Sequence, residues 1–89
     1  MVLLITYDLH KPDRDYDDVI AVIKEAGAYA HLEESVWLVE TSDDPAVWRD
    51  RLKNTASEAT YFVVRLRQSW AAWQLSKSVA DWLKNDRDW

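Results

Sequence analysis

The apolar positions of this chain follow two periods, and the switches between them outline its elements. Residues 2–8, VLLITYD, are aliphatic, β-branched and aromatic with almost no polar interruption, the pattern of a central strand covered on both faces. His10-Lys11-Pro12-Asp13-Arg14-Asp15 then breaks any period with a proline and several acids, which predicts a loop. From there Tyr16, Val19, Ile20, Ile23 and Ala26 recur at the spacing of one helical face. Asp15 is placed to cap this helix, Asp17 and Asp18 sit where the positive end of the helix dipole favours them, and Lys24 sits toward the negative end. Gly27, the only glycine, is expected to end the helix in the left-handed conformation.

Ala28 to Glu33 and Ser35 to Thr41 read as two strands joined tightly near Glu33-Glu34. The near-continuous Val36-Trp37-Leu38-Val39 places the second of them inside the sheet. Asp44-Pro45 marks a helix start, with proline at a position that needs no donor, and Val47, Trp48 and Leu52 give the helix to about Asn54 one apolar face. Thr60 to Arg67 is a fourth strand with Phe62, Val64 and Leu66 on one face and Tyr61, Val63, Arg65 and Arg67 on the other. Beyond it, Trp70, Trp73, Val79 and Trp82-Leu83 predict a connecting segment and a short helix from about Ser76 to Asn85, capped by Ser76, with Trp89 fraying at the end.

Strand, helix, strand, strand, helix, strand predicts an α+β fold, the ferredoxin-like βαββαβ sandwich, in which both helices cover one face of an antiparallel sheet. The chain is expected to form one domain over residues 1–89, with a core over 2–67 and a tryptophan-rich, helical C-terminal extension over 68–89. The opposite sheet face is apolar as well and needs a cover. The C-terminal tryptophans are expected to supply part of it and a two-fold copy the rest, which makes the chain a homodimer.

Composition narrows the chemistry. Six tryptophans offset the small core of an 89-residue chain, because large aromatics bury the most area per side chain. The absence of cysteine excludes disulfides, thiolate metal sites and cysteine nucleophiles, and fits a reducing, cytoplasmic compartment. The opening apolar run is too short for a leader or a membrane span, so no membrane association is expected. A formal charge of −5 opposes strong non-specific binding to nucleic acid.

Candidate residues each carry a functional and a plainer reading. Asp8, closing the first strand, is a candidate catalytic residue and metal ligand, or a strand-end carboxylate that binds loop backbone. His10 is a candidate base or second ligand, or a solvated loop residue. His31 is expected to be packed or partly exposed rather than catalytic. His10, Lys11, Arg14, Arg65 and Arg67 are candidate nucleic-acid contacts, and Arg49, Arg51 and Lys53 cluster on the second helix. Against them stands the usual role of exposed cations, solubility and weak pairing. Asp13, Asp15 and Asp17 alternate as in a calcium loop, but the required glycine and terminal acid are replaced by Asp18 and Lys24, which excludes that loop. One glycine cannot build a phosphate cradle either. Trp70 and Trp73 are candidates for a partner interface, or for the chain's own packing.

The first strand ending in Tyr7-Asp8, the phrase YDLHKPDRDY, and SVWLVET downstream together resemble the Cas2 family of CRISPR-associated proteins and its VapD-like relatives, over residues 2 to 67. The likeness is greatest to an uncharacterised Cas2-like branch. It implies a homodimer in which two Asp8 carboxylates face each other and hold magnesium for metal-dependent hydrolysis of RNA or DNA. The chain departs from the family in its charge-cancelled loop after the first strand and in the tryptophan-rich segment that replaces a fifth strand. Two other readings keep the fold without the chemistry: a catalytically inactive dimeric interaction or regulatory module, and an acidic mimic of nucleic acid.

Overall fold

The computed structural model describes residues 1–11 and 15–89. In chain order the elements are β1 (Val2–Asp8), α1 (Asp17–Lys24), β2 (Ala28–Glu33), β3 (Val36–Glu40), α2 (Pro45–Thr55), β4 (Thr60–Arg65) and α3 (Lys77–Lys84). The four strands form one sheet in the order β2-β3-β1-β4, and every neighbouring pair is antiparallel. β1 is central, as its unbroken apolar run requires, and Val2, Leu3 and Ile5 are fully buried. Odd positions of β1 exchange hydrogen bonds with β3, since Tyr7 N–H reaches Ser35 O at 3.2 Å. Even positions face β4, since Leu66 N–H reaches Val2 O at 2.9 Å.

The main core lies between the sheet and the first two helices. Leu3, Ile5 and Tyr7 of β1 and Trp37 and Val39 of β3 meet Val19 and Ile23 of α1 and Trp48 and Leu52 of α2. Trp48 is anchored by its indole N–H to Thr41 Oγ1 at 3.3 Å, with the Arg51 guanidinium 5.0 Å from its ring centroid. Buried indoles need such a partner, because an unmet N–H away from water costs more than the ring's packing geometry can recover.

The helix starts differ in detail from the sequence expectation. Tyr16, itself buried, occupies the cap position of α1 and makes no side-chain cap bond. Nearby amides are met instead by carboxylates: Asp17 N–H donates to Asp15 Oδ1 at 3.0 Å and Val19 N–H to Asp18 Oδ1 at 2.8 Å. Asp44 occupies the cap of α2 without a side-chain bond, and Ser76 caps α3 by accepting from Val79 N–H at 3.3 Å. Gly27 turns the chain from α1 into β2 at φ 82°, a conformation a Cβ disfavours.

The chain itself covers the β2 and β3 side of the second sheet face, and leaves Phe62 of β4 exposed on it. Val79 and Leu83 of α3 bury against Ala30 of β2 and Leu38 of β3, flanked by Leu4, Leu32, Leu66, Leu75, Trp82 and Trp89. Glu40 clasps the tail: its Oε1 accepts from Arg87 Nη1 at 3.1 Å, and its Oε2 accepts from Asp88 N–H. The Arg87 guanidinium lies 4.0 Å from the Trp82 ring centroid and donates through Nε to Trp82 O at 2.9 Å. Trp89 is therefore packed rather than frayed, and its carbonyl oxygen accepts from Arg65 Nε and Nη2 at 3.1 and 2.7 Å. Among the described residues, no helix is long and apolar enough to cross a membrane.

Candidate functional site

Asp8 ends β1 on the same face as Leu4, directly opposite Thr60 of β4. Its side chain is 77% exposed, and Oδ2 lies 4.0 Å from His10 Nδ1. His10 Nε2 in turn is 2.7 Å from Thr60 Oγ1, so the loop histidine is tethered to the first residue of β4. Asp8, Thr6, Tyr7, Thr60 and Phe62 line a shallow cavity of about 230 Å³ beside this group. The sequence pointed to Asp8 and His10 separately; Thr60 enters only through strand pairing.

Among the described residues, one chain offers a cation a single carboxylate and an imidazole here. A hard ion such as magnesium takes oxygen ligands and near-octahedral geometry, so this donor set is incomplete without a second copy or a phosphate. Among the described residues, no group of three or more histidine, cysteine or acidic side chains gathers as a metal site.

Among the described residues, the candidate nucleic-acid contacts do not converge. Lys11 is exposed beside His10, and its backbone N–H donates to Tyr16 Oη at 3.3 Å. Arg14 lies outside the described residues. Arg65 sits opposite Leu3, five residues along the strand from Thr60, which places it about 17 Å from the Asp8 end of the sheet. Its guanidinium is engaged by Trp89 O, while exposed Arg67 shares a surface cavity of about 480 Å³ with Arg65, Leu66, Gln68 and Trp89. On α2, Arg49 pairs with Asp50 at 3.0 Å and Arg51 with Asp43 at 2.7 Å.

His31 has a structural role. Its ring stacks on Trp37 with centroids 3.9 Å apart and planes 5° from parallel, and Nε2 lies 3.1 Å from Glu34 O. Trp37 Nε1 donates to Tyr7 Oη at 3.2 Å, and that hydroxyl donates to Glu34 O at 3.3 Å. The hairpin between β2 and β3 is thus tied to the central strand.

Large apolar side chains are exposed both beside this group, at Phe62, and in the C-terminal segment. Trp73 is 86% exposed, Phe62 61% and Trp70 41%. Trp70 borders an apolar cavity of about 230 Å³ with Leu4, Leu38, Leu66, Leu83 and Trp89, so it is half committed to the tail's own packing. Phe62 was legible as a member of an apolar strand face, but its exposure depends on how far α3 reaches across the sheet. Comparison with known proteins finds no family model, no curated protein and no solved structure that matches the chain.

Proposed function

We propose that this chain is a ferredoxin-like interaction module that works as a homodimer. The strand order β2-β3-β1-β4, antiparallel throughout, with α1 and α2 against one face, supports the ferredoxin-like reading. The observation that carries the interaction reading is the exposure of Phe62 and Trp73 in a domain whose other tryptophans are at least half buried. Large aromatics left in water are enriched at protein interfaces, because their burial on association supplies area at small entropic cost. Sedimentation equilibrium of the full chain from micromolar to near-millimolar concentration tests this. A mass rising toward twice that of the chain is expected, and a single-chain mass throughout would refute the homodimer.

A second reading, a Cas2-like nuclease with Asp8 as metal ligand, is favoured by the closeness of Asp8 Oδ2 to His10 Nδ1 at an open surface. It calls for Asp8 of a second copy, since the described residues of one chain bring a single carboxylate to this group. Cleavage of labelled RNA and DNA with magnesium, the parent beside Asp8→Ala, separates the two. Cleavage lost only in the variant supports the nuclease; equal cleavage by both, or none by either, removes it.

A further inference from the structure

The two edges of the sheet are not alike. β2 carries a register shift between His31 and Glu33, and its second half bears His31 and Glu33, with Glu34 following. Bulges and charges of this kind blunt an edge against further pairing. β4 has no such shift: its six pairs with β1 run in continuous register, its charges are only Arg65 and, just beyond the strand, Arg67, and Thr60 to Arg67 contains no acid, proline or glycine.

Backbone geometry fixes what that edge presents. Leu66 N–H bonds Val2 O, so residues 60, 62, 64 and 66 direct their amides and carbonyls toward β1. Tyr61, Val63 and Arg65 therefore direct theirs outward. Pro45, Ala46 and Arg49 of α2 border the same edge, and the first two are too small to shield it.

We propose that two copies of this chain join through their β4 strands, antiparallel about a two-fold axis at Val63, to make one continuous sheet. This register uses all the outward groups: Val63 pairs with Val63 of the second copy, and Tyr61 with Arg65 of the second copy. The pairs between them set exposed Phe62 against Val64 on the α3 side. The two Arg65 side chains are kept apart, so a chain with charge −5 meets itself along its one acid-free strand. Phe62, 61% exposed, contributes roughly 100 Å² per copy to the contact. The short edge keeps the total below the roughly 800 Å² per partner of a standard interface, so the association is reversible in the micromolar range or weaker.

This proposal rests on the homodimer reading and excludes the shared-metal one. Asp8 lies opposite Thr60, three residues along from Val63 and one strand further from the axis. With a rise of about 3.3 Å per residue and strands about 4.8 Å apart, the two Asp8 residues lie about 25 Å from each other.

Single-cysteine cross-linking tests it, since the chain has no other thiol. Opposed residues in a hydrogen-bonded antiparallel pair have Cα atoms about 5.5 Å apart, within the range of about 4.4–6.8 Å that a disulfide spans. Val63→Cys, a near-isosteric change, is expected to form a disulfide dimer of doubled mass under mild oxidation, while Asp8→Cys stays single. Linkage at Asp8→Cys as fast as at Val63→Cys overturns the edge dimer. So does an unlinked Val63→Cys in a sample whose sedimentation gives a dimer mass, which leaves the homodimer reading intact with another surface. A single-chain mass without linkage overturns both. Amide exchange of the unmodified chain checks the same claim without a substitution: protection of Tyr61, Val63 and Arg65 must rise with concentration, and constant protection refutes the pairing.

Discussion

Leu83→Ala probes whether α3 is an integral cover of the sheet or an appendage. Leu83 is 8% exposed and packs with Val79 on Ala30 and Leu38. Truncating a buried leucine costs about 2–5 kcal/mol, the upper values belonging to sites that cannot relax. Leu83 borders the open apolar cavity beside Trp70, so its neighbours can shift and solvent can enter. The cost is therefore expected at the lower end, about 2–3 kcal/mol. A domain of this length has a total stability of roughly 4–13 kcal/mol, so the variant still folds. Each kcal/mol is worth about 4–8 °C in Tm at this size, which predicts a fall of roughly 10–20 °C. Urea unfolding followed in parallel by far-UV circular dichroism and tryptophan fluorescence measures it. One shared transition with an unchanged slope and an earlier midpoint is expected. A core transition that stays within about 0.5 kcal/mol of the parent, the usual range of surface substitutions, would show that α3 contributes nothing to the fold.

Two further substitutions test the framework of the same packing. Gly27→Ala meets no atom within 4 Å, so its effect comes from the positive φ alone. A loss of about 1 kcal/mol is expected in a denaturant titration. Arg87→Ala removes the hydrogen bond to partly buried Glu40 and the stack on Trp82 together. A loss of about 1–2 kcal/mol is expected from the same titration, with faster amide exchange in α3 than in β1.

β1 and β3 were legible as interior strands because Val2 to Tyr7 and Val36 to Val39 are nearly continuous in apolar residues and carry no charge, and β4 because its apolar and charged positions alternate between faces. The ordering of the second face was harder to read. The segment from Gln68 to Leu75 has no period of its own, so nothing local tells that it carries α3 back across the sheet to β2. The clasp of Glu40 on Arg87 is equally invisible locally, since its partners lie 47 residues apart. Trp89 looked loose for the same reason. At the candidate site, Asp8 stood out as a strand-end acid, but its link through His10 to Thr60 follows from the register of β1 with β4. His31 could be read as packed, yet its stack on Trp37 depends on strand pairing beside an irregularity in β2.

The path of the tail also bears on the order of folding. α3 follows β4 in sequence but rests on β2 and β3, so its docking site exists only after the hairpin has joined the sheet. Contacts of such long sequence separation carry a loop-closure cost before they reward it. α3 is thus the last of the described elements to settle, and the face of β2 and β3 on which it rests stays open until it docks.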